Sequence, residues 1–372
     1  MSATQLPEAP LATAVPVKEC SVNLSTSNTV SGETFSKLSA KGFPRGLIKE
    51  LGNSRANIPL RYWVLDDSGS MNTPDGKFFR KIQGRMQSVS CTRWKELQLT
   101  VHYQAELAGI LGTNTNFRLM NKFDKEFTIA NTMEDVNGDV LKVKRGISNA
   151  HPCGTTPMIE HIILLYARIS AIAPELAAKD QKVACIFVAD GLPTDASGRT
   201  HPAFIHIFIA ALQRLQTLPV WIVFRICSDD DAILNFYSEL DNVLEFPIDV
   251  LDDQKAEAKE IYAYNPWINY TAQLHSVREM GYYHRLLDFV DERPLSMDEA
   301  HEYLVLLFGE EPFRGTDYYE DWEGYMQVVE KLVAEQPEEW NPKTKQSEPW
   351  INIKRFNKKY GPRRSLFGRR KH

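Results

Sequence analysis

Tyr62-Trp63-Val64-Leu65-Asp66-Asp67-Ser68-Gly69-Ser70-Met71 is the stretch that decides the fold. Its first four residues are large and apolar with no polar alternation, as expected of a strand buried on both faces of a parallel sheet. Two carboxylates follow, then two hydroxyls separated by a glycine, which reads as the turn leaving the strand's C-terminal end. In open α/β sheets ligands bind at that end. Asp66, Ser68 and Ser70 form the pattern D-x-S-x-S. All three offer oxygen, the donor that hard cations such as Mg²⁺ require. Ser, Gly and Asp are also ordinary turn formers, so a plain strand-to-turn reading stands beside the metal reading.

Two further stretches weigh against the plainer reading. His151-Pro152-Cys153-Gly154-Thr155-Thr156-Pro157 places a glycine and hydroxyls just before an apolar run of helical spacing. Ile186-Phe187-Val188-Ala189-Asp190-Gly191-Leu192-Pro193-Thr194-Asp195 is a second buried strand, ending in Asp-Gly. In this order and spacing the three stretches resemble the von Willebrand factor A domain and its metal-ion-dependent adhesion site. The resemblance covers roughly residues 55–250, a little over half of the 372. It implies a doubly wound α/β fold and a Mg²⁺ or Mn²⁺ ion held by the hydroxyls of Ser68, Ser70 and Thr156. Asp66 and Asp190 would reach the ion through water. It also implies an open position on the ion, taken by an Asp or Glu of a protein partner. Thr156 has a duller role available as a helix N-cap, and Asp66 and Asp190 as turn residues. Asp195 reads as a solvated loop carboxylate, and Thr155 as structural.

Rival motifs fail on particular residues. An EF-hand loop starting at Asp66 needs Gly at its sixth place and Glu at its twelfth; those places hold Met71 and Lys77. A haloacid-dehalogenase phosphatase wants Asp where Ser68 stands. There is no P-loop and no GxSxG elbow. A metal-assisted hydrolase at the same site is the leading alternative function, and it needs a base or nucleophile. His151 and Cys153 are the only candidates beside the proposed ion, so the reading is a binding module and not an enzyme.

Hydrophobic content of 43% and charged content of 24% are those of an ordinary globular protein. Five cysteines form no CxxC pair, and no basic-then-apolar leader opens the chain. Together these lead us to expect a reducing, intracellular setting, cytoplasmic or nuclear. No run approaches the ~20 consecutive apolar residues of a membrane span. The net charge of −5 is uneven. Residues 354–372 hold nine Lys or Arg and no acid, which leaves 34 bases against 48 acids, or −14, on residues 1–353. That tail raises a third reading, an adaptor for nucleic acid or an anionic membrane. The plainer alternative is a solvated end folded back on the acidic body.

The expected organisation follows from composition and periodicity. Residues 1–32, rich in Ala, Pro, Ser and Thr, form a disordered leader. Residues 33–55 are a short helical segment broken at Pro44. Residues 56–250 alternate strand and helix, as a mainly parallel sheet covered on both faces does. Phe78 to Cys91 suggests a hairpin turning at Gln83-Gly84. Thr92 is the expected N-cap of a helix to Leu111, with Glu96 near the position that completes a capping box. A short strand is expected over Val243–Val250. The helix over Phe204–Leu215 is almost wholly apolar and is expected to be sandwiched. Residues 251–353 form a mostly helical extension wrapping a surface, and 354–372 the basic tail.

Overall fold

The computed structural model describes residues 28–82, 85–129, 135–240, 243–244 and 248–362. Most of the expected leader, the tip of the expected hairpin and residues 363–372 of the basic tail lie outside the described residues.

The chain opens with helices α1 (Gly32–Ala40) and α2 (Arg45–Asn57), separated at Pro44. The first helix ends at its C-cap Lys41, before Gly42 at a φ of +86°, and Pro44, which cannot donate a backbone hydrogen bond, stands at the start of the next. Then comes β1 (Leu60–Leu65), every residue of it buried. An antiparallel ribbon follows, β2 (Gly76–Ile82) with β3 (Arg85–Cys91), in register from Gly76↔Cys91 to Ile82↔Arg85. Helix α3 (Arg93–Leu111) is capped by Thr92, whose hydroxyl accepts from Lys95 N at 3.1 Å. The rest of the α/β unit is β4 (Asn114–Leu119), β5 (Glu126–Ile129), α4 (Val136–Ser148), α5 (Met158–Ala178), β6 (Val183–Ala189), α6 (Pro202–Gln216), β7 (Val220–Ile226), α7 (Asp231–Glu239) and β8 (Asp249–Leu251).

These strands form one sheet of six in the order β5-β4-β1-β6-β7-β8. All neighbours are parallel except β5, which runs antiparallel to β4 at the edge. The fold is therefore α/β with a mostly parallel central sheet of Rossmann-like layout. The chain leaves β1 toward β4 on one side and returns to β6 on the other. That reversal opens a crevice beyond the C-terminal ends of β1 and β6, where this class of sheet binds ligands.

Strand alternation sorts side chains to two faces. Leu60, Tyr62 and Val64 join Val183, Cys185 and Phe187 under α5, α6 and α7. Trp63 and Leu65 join Ala184, Ile186 and Val188 under α1 to α4. The second face is also where the C-terminal part packs. It comprises α8 (Gln254–Tyr264), α9 (Ala272–Glu279), α10 (Arg285–Glu292), α11 (Met297–Phe308), α12 (Trp322–Ala334), β9 (Glu339–Asn341), β10 (Gln346–Glu348) and α13 (Ile353–Tyr360). Trp267, Tyr303, Trp350 and Phe356 are fully buried in the same apolar cluster as the sheet face. Gly281 shows how close the approach is: its φ is +82°, and a Cβ there would lie 2.8 Å from Ala184 Cβ on β6.

Buried charge joins this extension to the sheet. Arg61 on β1 donates to Met280 O (3.0 Å), Ile58 O (3.0 Å) and Ser54 Oγ (3.0 Å). Arg225 on β7 pairs with Glu279 (3.1 Å) and Glu96 (3.0 Å). Glu96 also accepts Lys77 N at 2.9 Å. It thus links ribbon, helix and sheet instead of closing the expected capping box. Arg278 meets Glu257 (2.6 Å) and Asp291 (3.2 Å) within the extension and Asp249 on β8 (3.5 Å).

Four expectations are corrected. The outer face of α6 is open, with Ile207 55% exposed, so this apolar helix is covered on one side only. The last strand of this sheet, expected over Val243–Val250, runs over Asp249–Leu251 among the described residues; positions 245–247 of the expected strand lie outside them. The basic stretch opens inside a helix: α13 buries Phe356, Arg355 donates to Pro266 O (2.9 Å) and Lys359 to Asn265 Oδ1 (3.1 Å). Finally, α5 has the length and hydropathy of a membrane-crossing helix. Here its Met158, Ile159, Ile162, Leu165 and Ile169 pack into the core under the sheet.

Candidate metal centre

Three loops converge at the crevice between β1 and β6. Asp66 follows the last β1 residue and continues the sheet, donating its N–H to Val188 O at 2.9 Å. Its Oδ1 accepts Ser68 N at 2.8 Å, which tightens the turn so that both serine hydroxyls face one point. Ser68 Oγ and Ser70 Oγ lie 2.9 Å apart. Ser70 Oγ donates to Asp190 Oδ1 at 2.8 Å, joining the loop after β1 to the loop after β6. Thr156 Oγ1 donates to Asp66 Oδ2 at 3.3 Å, which brings in the loop before α5. Three hydroxyls and two carboxylates thus form one hydrogen-bonded set. Asp66, Ser68, Thr156 and Asp190 are buried; Ser70 is exposed.

The loop before α5 is shaped to leave the Thr156 hydroxyl available. The N-cap position of α5 falls on Pro157, which has no side chain able to cap, so Thr156 is not the cap. Instead Thr156 exchanges backbone contacts with Thr194: Thr156 N donates to Thr194 Oγ1 (2.9 Å), and Thr194 N to Thr156 O (3.1 Å). Gly154 has a φ of +87°, and a Cβ there would overlap Asn121 Oδ1. Thr155 is held through its backbone, its N–H donating to Asn121 Oδ1 (3.1 Å) and its carbonyl accepting from Asn121 Nδ2 (2.8 Å). Asp195 stays out of the set; its Oδ1 accepts Ser197 N (2.8 Å) and Arg199 N (3.0 Å), folding its own loop.

Burial sets the electrostatics. Loss of water, and then repulsion from Asp190, push the Asp66 carboxyl up to about 7. Asp67 is raised by burial against hydrogen bonds from Asn121. Its Oδ1 accepts Asn121 N (2.7 Å) and Nδ2 (3.2 Å). Its buried Oδ2 has no hydrogen-bond partner among the described residues, and the Lys122 ammonium is 3.9 Å away. Arg93 brings a positive charge, 3.0 Å from Asp190 Oδ2.

Such a set suits a hard divalent cation. Every donor is oxygen, Asp66 and Asp190 repel each other, and an adjacent buried carboxylate oxygen lacks a hydrogen bond among the described residues. No group of three or more His, Cys, Asp or Glu among the described residues is placed to hold a metal. The hydroxyls complete the donor set here. All five residues expected from sequence, Asp66, Ser68, Ser70, Thr156 and Asp190, meet at one place. His151 and Cys153 are exposed on the loop that carries Thr156, and neither is hydrogen-bonded to the set through its side chain among the described residues.

Sequence reading missed Arg93, Asn121, Asp67 and Thr194. For Arg93 a signal existed: a cation in the first turn of a helix opposes the helix dipole and implies a specific anionic partner. For Asp67 it was the doubled carboxylate at a buried strand end. Asn121 and Thr194 gave none, because their partners are remote in sequence.

No protein-family profile and no curated protein matches the chain. Among solved structures it is similar to a point mutant of the PilB minor pilin from Streptococcus sanguinis, at 11% identity and a TM-score of 0.37. The match covers 52% of this chain and 57% of the pilin chain.

Proposed function

We propose that this chain is a metal-dependent protein-binding module of the von Willebrand factor A type, with Mg²⁺ or Mn²⁺ at the crevice. The observation that carries the reading is the joining of Ser68, Ser70, Thr156, Asp66 and Asp190 into one oxygen set from three loops. Ser68, Ser70 and Thr156 would hold the ion directly, with Asp66 and Asp190 behind them. When bound, the ion supplies an electrophilic point that attracts one further anionic oxygen. The chain's own residues do the rest. The buried carboxylates hold the hydroxyls in place, and the Asp67–Asn121 contacts fix the loop that carries Thr156. Neutral hydroxyls leave the ion's charge only partly balanced, so an acidic side chain of a partner protein is the favoured addition.

Binding is favoured over hydrolysis by the surroundings. Among the described residues no histidine is hydrogen-bonded to the oxygen set. His161 uses both ring nitrogens, accepting from Arg118 Nε (3.1 Å) and contacting Met120 O (2.9 Å). Burial lowers it to about 4, so it stays neutral. Calorimetry with Mg²⁺ and Mn²⁺ on the wild type and on Ser68→Ala with Thr156→Val tests the site. Heat of binding lost in the folded variant is the expected result; equal uptake by both overturns the assignment. Partner capture that needs Mg²⁺, stops in EDTA and is lost in Asp190→Ala tests the function.

A further inference from the structure

Arg93 is the first residue of α3, and its guanidinium spans two carboxylates. Nε and Nη2 donate to Asp75 Oδ1 (2.8 Å) and Oδ2 (2.6 Å). Nη1 donates to Asp190 Oδ2 (3.0 Å) and leans on Asp190 O (3.5 Å). The Asp190 side chain is fully buried and that of Arg93 only 14% exposed, whereas Asp75 is 39% exposed. Asp75 and Arg93 also bracket the ribbon, one just before β2 and the other just after β3 and its following cap. Gly76 pairs with Cys91 between them, and Arg93 N donates to Thr73 O at 3.1 Å.

We infer that Arg93 is the resident counter-cation of the oxygen set, and that it competes with a divalent metal for Asp190. The inference rests on the metal reading above. Asp190 has two oxygens: Oδ1 takes the Ser70 hydroxyl and Oδ2 takes the guanidinium. A metal drawn to this set puts two positive charges within a few ångströms of a third, in a place shielded from water. The guanidinium cannot relieve the repulsion by losing its proton. It can relieve it by shifting onto Asp75, where a two-pronged contact already exists and solvent is at hand. Asp75 then favours metal binding by drawing Arg93 off Asp190, and Arg93 sets the metal concentration at which the site fills. Linkage makes the effect reciprocal: metal occupancy loosens the contact between the ribbon base and the loop after β6.

The two ends of the contact therefore affect metal affinity with opposite sign, which a merely structural role for either residue does not produce. The test titrates Mn²⁺ alone into full-length wild type, Arg93→Gln, Arg93→Lys and Asp75→Asn by calorimetry, with circular dichroism to confirm folding. Arg93→Gln is expected to bind Mn²⁺ on the order of tenfold more tightly. Arg93→Lys, which keeps the charge, stays near wild type, and Asp75→Asn binds more weakly. If the wild type takes up no Mn²⁺ but Arg93→Gln does, the inference is supported in its strongest form. If the wild type binds and Arg93→Gln binds equally or more weakly, the competition is overturned while the metal site stands. If no folded variant binds Mn²⁺, the metal reading and this inference both fall.

Discussion

The two faces of the sheet are covered in different ways. Under α5, α6 and α7 the contact is mainly apolar: Ile162, Leu165 and Phe187 share one cluster, Phe208 meets Phe224 with ring centroids 6.3 Å apart, and a buried guanidinium, Arg118, donates to His161 at 3.1 Å. On the other face, elements far apart in the chain meet through guanidinium groups as well as aromatic rings. Arg61 reaches Met280, Arg225 reaches Glu279, and Gln104 reaches Ser276. Apolar burial tolerates small changes of shape, because its energy follows area. A buried ion pair is less tolerant, because removing one partner leaves the other charged and dry.

The largest expected effect breaks the second face. Glu279→Ala takes from buried Arg225 one of its two carboxylate partners, leaving Glu96, and should cost on the order of 3 kcal/mol, read from urea unfolding. Ile162→Val on the first face should cost only about 1 kcal/mol. Equal losses would mean that the two faces are held alike.

Next comes the crevice between them. Saturating Mg²⁺ or Mn²⁺ at roughly 100 times its dissociation constant should add about 2.7 kcal/mol, seen as a melting shift that EDTA reverses. Asp190→Ala should remove the shift. A shift that persists in the variant would place the ion elsewhere.

A smaller effect sharpens the contrast by pH. Burial, opposed by Arg278 and assisted by Glu257, pushes the Asp291 carboxyl up to about 7. The folded state therefore holds this proton more tightly than the unfolded chain does. Its stabilising contribution is complete below the ordinary carboxylate pKa and is lost as pH rises through about 7. Between roughly pH 4 and 8 the wild type should lose on the order of 2 kcal/mol that Asp291→Asn does not lose. Parallel stability profiles would refute this. Glu279 behaves in the opposite sense: His275 and Arg225 outweigh burial and hold it down at about 2, so its contribution fades only in strong acid.

Smallest of all is the open side of α6. Ile207→Ser should change stability by less than about 0.5 kcal/mol, despite the helix's apolar composition. A loss above about 1 kcal/mol in the isolated chain would mean that this face is covered.

The same contrast explains what the sequence disclosed. Tyr62–Leu65 and Ile186–Ala189 read as buried parallel strands because they are apolar on both sides, and they lie in β1 and β6, buried throughout. The site's five oxygen-bearing residues were legible because each stands close after a strand or before a helix, where local pattern fixes position. Asn121 and Thr194 were not, since they act on residues 34 and 38 positions away; Arg93 left a signal in its place at a helix start, but not the identity of its partner 97 positions away. For α6 the apolar run was visible, but sequence holds no record of which helix faces go uncovered. The burial of Trp267 and Phe356 against Tyr303, Trp322 and Tyr360 was hidden for a similar reason: aromatic density says that something is buried and does not say against what.

Arg61 carries one more consequence, in the order of synthesis. Of its three acceptors, Ile58 O and Ser54 Oγ leave the ribosome before it and Met280 O long after. Glu279, the partner of Arg225, is equally late. At about 5–20 residues per second, the stretch from β8 to the end of α13 takes roughly 5–20 s to emerge. Throughout that interval the sheet has all its strands while one face lacks Glu279, Met280 and the cover of α8 to α13. The nascent chain is then exposed to holdase chaperones and to proteolysis on that face alone, and slow codons after Leu251 would lengthen the exposure.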